Sequence, residues 1–118
     1  MESFICHPLS GNGSQIYVRL TEQHYYVDWG STPLAFPKIL IDDIRDNFFK
    51  TSDWYPLGAK WDDPIEGGLG EYIQKYQTIS SLHSPKYASM IASIMFHLKM
   101  VEYRRNKNQH NRIELKKK

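Results

Sequence analysis

A chain of 118 residues that is 41% hydrophobic and 14% aromatic is long enough for one domain with one core and too apolar to stay disordered. Its one cysteine, Cys6, excludes an internal disulfide and a multi-cysteine metal site, and no apolar run approaches the roughly 18 residues of a membrane span. The net charge of +2 hides an uneven distribution: residues 102–118 carry seven Lys/Arg against Glu102 and Glu114, whereas residues 1–101 carry eight against eleven carboxylates.

Residues 1–14 read as irregular, because His7-Pro8 and Gly11-Asn12-Gly13 form turns. The glycines lack the Lys-Ser/Thr pair and following helix of a phosphate loop. The start also lacks the charged and apolar regions of a signal peptide, so an intracellular, cytoplasmic protein without a membrane partner is expected. Gln15–Leu20 alternates, with Ile16, Val18 and Leu20 opposed to Tyr17 and Arg19. His24–Trp29 alternates again, and Thr21-Glu22-Gln23 turns between them. This predicts a hairpin, one face of which must pack against the helices downstream. Gly30-Ser31-Thr32-Pro33 reads as a strand break. The expected division is a hairpin region over 1–32 and a helical region with a terminal hairpin over 33–118, within a single domain.

Pro37 predicts a helix start, and Lys38–Lys50 places Ile41, Ile44 and Phe48 on one face with Leu40 alongside. Asp42, Asp43, Arg45 and Asp46 form the wet side, a reading preferred to a cation site at Asp42 and Asp46. Residues 53–68 form a long loop with Trp54, Trp61 and the acids Asp53, Asp62, Asp63 and Glu66. The acids match no EF-hand spacing, so a loop pinned by its tryptophans is expected, with partner contact open. Leu69–Tyr76 reads as a short helix.

Ser84-Pro85 is a capped helix start, followed by apolar residues at helical spacing through Leu98. Met100–Arg105 suits a strand, Asn106–His110 can turn, and Asn111–Leu115 alternates as a second strand. Helix, then a basic hairpin: this order resembles the end of a winged-helix domain, in which a recognition helix runs into a two-stranded wing. With the helices at Lys38–Lys50 and Leu69–Tyr76 ahead of it, the expectation is an α+β fold of three helices plus a C-terminal wing, with an added N-terminal β-hairpin.

The resemblance implies duplex DNA as partner. Ser84, Lys86, Tyr87, Ser89, Met90 and Ser93 would face the groove. Arg104, Arg105, Lys107, Asn108, His110 and Arg112 would form the wing against phosphates, crowded on a single rim. The rival expectation is a non-catalytic interaction or dimerisation module on the same scaffold, with a homodimer or a protein partner. No catalytic residues, metal or cofactor are expected. The five histidines show no metal-ligand spacing and no HExxH motif. His110-Asn111 and Glu114-Leu115-Lys116 are fragments too short to count as nuclease signatures.

Overall fold

The computed structural model describes residues 2–11, 15–29, 32–59, 65–75 and 87–118. Its first half is an antiparallel sheet of four strands in sequential order: β1 (Glu2–Cys6), β2 (Ile16–Leu20), β3 (His24–Trp29) and β4 (Thr32–Pro37). The expected β2–β3 hairpin is present, with Val18 opposite Val27 and Arg19 opposite Tyr26. Alternation sorts its faces: Ile16, Val18, Tyr25 and Val27 are buried, while Tyr17, Arg19, Tyr26 and Asp28 are exposed.

Two expectations fail here, for one reason. The irregular start contains β1, and the predicted strand break leads into β4, so the hairpin grows an edge strand on each side. Edge strands tolerate residues that would disrupt a central strand. Pro33 and Pro37 lack an N–H, and on the outer strand β4 none is needed on the open side. Weak local patterning at sheet edges is read as loop when only the chain itself is considered.

The helix α1 (Lys38–Asp43) follows directly from β4, and Lys38 N–H closes onto the Gln23 carbonyl at 2.8 Å. It widens into a π-helical turn over Ile44–Phe48, in which Phe49 N–H reaches the Ile44 carbonyl at 3.2 Å. The added residue per turn lets the consecutive Phe48 and Phe49 both point inward, their rings edge to face at 4.8 Å. Ile41, Ile44 and Phe48 are buried as expected, with Leu40 beside them. On the wet side Arg45 pairs with Asp42 at 3.5 Å and with Asp46 at 2.9 Å.

The chain continues through β5 (Tyr55–Pro56), α2 (Leu69–Gln74), α3 (Tyr87–His97), β6 (Val101–Asn106) and β7 (Arg112–Lys117). The last two strands pair over their full length, and β5 adds to the outer side of β7, giving the order β5-β7-β6. Helix α3 is the centre of the molecule. Ala88 and the run Met90–Met95 are all buried, and the helix packs on α2, on β6 of the second sheet and on β1 of the first. A helix apolar all round belongs inside. His97, at its end, stacks on Phe4 with centroids 4.2 Å apart. The helix closes with Lys99 left-handed at φ 62°, which allows Met100 N–H to reach the Met95 carbonyl at 2.9 Å.

The fold is therefore mixed α+β, with three α-helices and two antiparallel sheets among the described residues. None of these helices is long and apolar enough to cross a membrane.

Candidate nucleic-acid interface

The C-terminal hairpin carries the polar cluster of greatest interest. In β6 and β7 successive side chains alternate between faces, and the register sets Glu102 against Lys116, Arg104 against Glu114, and Asn106 against Arg112. These six polar residues share one face. The other carries Val101 and Leu115 into the core and sets Tyr103 edge to face on Phe96, centroids 4.9 Å apart. The tip is a short 3-10 turn, Lys107–Gln109, opened by Asn106, whose side chain accepts the Asn108 N–H at 3.0 Å. His110 and Asn111 complete it in left-handed conformation.

At the centre of the polar face sits Glu114, 2% exposed. Arg104 donates from Nε to Oε1 at 2.9 Å and lies within 2.8 Å of it through Nη2. Arg112 does the same for Oε2, at 2.8 Å from each nitrogen. Asn106 Nδ2 is 3.2 Å from both oxygens. Burial pushes the Glu114 carboxyl up. The hydrogen bonds from Arg112, Arg104 and Asn106 pull it further down, so it lies below the usual carboxylate range. Trp54 covers the same face, with the Arg104 guanidinium 4.4 Å and the Lys116 ammonium 5.7 Å from its ring. One of the two expected loop tryptophans thus pins its loop to the hairpin. Trp61 lies outside the described residues.

The expected wing residues all lie on this hairpin, but not on a single rim. Arg104 and Arg105 are consecutive in a strand, so they face opposite ways. Arg105 turns from the clamp and donates to the Ser10 carbonyl at 2.7 Å. Lys107, Asn108 and His110 are exposed at the tip, whereas Lys116 and Lys117 lie at the base, opposite Glu102 and Val101.

The groove-facing set fares differently. Ser84 and Lys86 lie outside the described residues. Tyr87 and Ser89 are half-buried at the start of α3. Met90 and Ser93 do not reach the surface: both are buried, and the Ser93 hydroxyl donates to the Ser89 carbonyl at 2.9 Å. The described part of α3 presents no broad polar face.

Sequence reasoning missed the role of Glu114. The spacing Arg112-x-Glu114 was a visible signal, since two residues apart on a strand means one face. The third member, Arg104, needs the register, which the turn at residues 107–111 sets. Among the described residues no group of three or more His, Cys, Asp or Glu is placed to hold a metal ion.

The class these observations define is an α+β domain with a charged hairpin built onto a helical core. Comparison of the chain with protein-family models, with curated proteins and with solved structures finds no match.

Proposed function

We propose that the protein is a DNA-binding module of winged-helix type, with the β6–β7 hairpin as the wing that meets duplex phosphates. The observation that supports this most is the clamp on Glu114. A guanidinium has five donors, and each arginine here spends one edge on the carboxylate. The side chains stay 45% and 32% exposed, so outward edges remain for a phosphate. Because their rotamers are already fixed, little entropy is lost when they meet it. The order helix, strand, helix, helix, hairpin, with β5 joined to the hairpin sheet, suits the same reading. The acidic body and the basic hairpin would turn the hairpin toward a polyanion. With α3 buried, this wing acts on backbone phosphates and tolerates many sequences.

The test is duplex binding as a function of salt, using a variant that spares the clamp. Removing Arg104 and Arg112 would leave Glu114 buried without a cation and would report on folding instead. Arg105→Gln with Lys107→Gln removes one strand charge and one tip charge outside the clamp, and with the first the bond to the Ser10 carbonyl. Expected is a loss of roughly tenfold in affinity at low salt and a shallower dependence of log K on log salt, by about one per lost phosphate contact. No duplex affinity in dilute buffer, or an affinity and salt slope unchanged in this double variant, overturns the proposal.

A second reading, a protein-interaction module, is favoured by the outer face of the four-stranded sheet. There Ile5, Tyr17 and Tyr26 are 46%, 51% and 39% exposed, with Arg19 5.8 Å from the Tyr26 ring. A self-association constant that falls on Tyr17→Ser with Tyr26→Ser would support it, and a concentration-independent monomer mass would count against the homodimer.

A further inference from the structure

On the other side of β5 a cleft of about 630 Å³ opens between the π-helical turn, β5 and α2. Its volume lies within the range of small-molecule sites. Three rings form its lining: Phe48 lies 5.1 Å from Tyr55 and 5.2 Å from Tyr72, centroid to centroid. Both tyrosine tips are tied down outside the stack. The Tyr72 hydroxyl donates to Asp43. The Tyr55 oxygen is 3.0 Å from the Thr51 hydroxyl and accepts the Thr51 N–H at 3.2 Å. With the tips held, the rings keep one orientation, which reduces the ordering cost of stacking a ligand.

The rim adds two lysines, one carboxylate and one amide. Lys75 pairs with Glu71 at 3.6 Å. Lys50 is exposed: its backbone N–H reaches the Phe48 carbonyl at 3.0 Å, and its ammonium has no hydrogen bond or ion pair among the described residues. Asn47 donates its amide to Asp43 at 2.6 Å, which leaves its amide oxygen as an acceptor. An aromatic lining, one uncommitted ammonium and one amide acceptor complement a flat ring with donors and an attached anion.

We propose that this cleft binds a planar heterocycle bearing a phosphate, the chemistry of a nucleotide, with the ring against Tyr55 and Tyr72 and the phosphate on Lys50. Stacking on aromatic faces tolerates any base, and the lysine supplies a charge-assisted contact to the phosphate oxygens. The source is either a free mononucleotide or the end of a nucleic-acid strand. Its lining includes no residue of the β6–β7 hairpin.

The experiment is titration of the full chain with each of the four nucleoside 5′-monophosphates, followed by the ring-proton NMR signals of Tyr55 and Tyr72. At least one monophosphate should saturate these signals below about 1 mM. Its nucleoside and inorganic phosphate should each bind about tenfold or more weakly. Lys50→Gln, an exposed change that leaves the core intact, should weaken the monophosphate about tenfold and leave the nucleoside unchanged. Tyr72→Phe keeps the ring but frees its tip from Asp43, so binding should persist at a lower affinity. A 5′-phosphorylated dinucleotide separates the sources. Tighter binding of the dinucleotide identifies a strand end, and equal binding identifies the free nucleotide. No shift with any monophosphate up to about 10 mM overturns the proposal, as does affinity unaltered by Lys50→Gln.

Discussion

Arg104 and Glu114 stand directly opposite each other across the β6–β7 ladder, and the same guanidinium that lies 2.8 Å from Glu114 lies 4.4 Å from the ring of Trp54. One side chain therefore joins the hairpin, its buried acid and the loop ahead of α2. The energetics are asymmetric. A carboxylate this buried is tolerable only while its partners stay, and both arginines are partly open to water.

Replacing Arg104 and Arg112 together by Ala should therefore destabilise the fold by about 3 kcal/mol or more. Adding Glu114→Leu to that double variant should restore much of the loss, because the stranded charge is gone. Urea midpoints for the three proteins test this. A triple variant less stable than the double would show that Glu114 needs no cation.

Acid should weaken the protein through the same residue. Glu114 titrates lower in the folded chain than in the unfolded one, chiefly because guanidinium hydrogen bonds outweigh its burial. Its contribution is fully present above the unfolded carboxylate value and is lost as pH falls through the lower folded value. The ordinary value for a glutamate side chain is 4.5. Unfolding free energy should decline as pH is lowered below that point, and Glu114→Gln should flatten this part of the profile. Parallel profiles for the two proteins would assign the decline to other carboxylates.

Lys99 ends α3 in the left-handed region at φ 62°, where a side chain is disfavoured and glycine is not. Lys99→Gly should raise stability by roughly 0.5–1 kcal/mol, read as a higher urea midpoint with an unchanged slope. The lysine is exposed, so no packing is lost with it.

Cys6 ends β1 at 5% exposure, and burial pushes its thiol up to about 11. The thiolate is the reactive form, so the native protein should resist thiol reagents at neutral pH and react fully once unfolded in urea. Stoichiometric labelling of the folded chain within minutes would place Cys6 at the surface.

Several features were legible without coordinates because local physics decides them. The β2–β3 hairpin follows from strict alternation, and the apolar face of α1 follows from its 3.6-residue period. The strand–turn–strand end follows from a polar run between β-prone segments. Other features were settled only by tertiary structure. Strands β1 and β4 are strands because a central hairpin offers them open edges, which their own residues do not announce. Helix α3 carries two serines and reads locally as a helix with an outward side, yet it is enclosed by α2 and both sheets, and Ser93 satisfies its hydroxyl within the helix. The charge of the hairpin was written in the chain, but its distribution was not. Register decides that Arg104 and Arg112 meet one carboxylate while Arg105 faces away, because a strand alternates its faces and pairing alone fixes which residue stands opposite which.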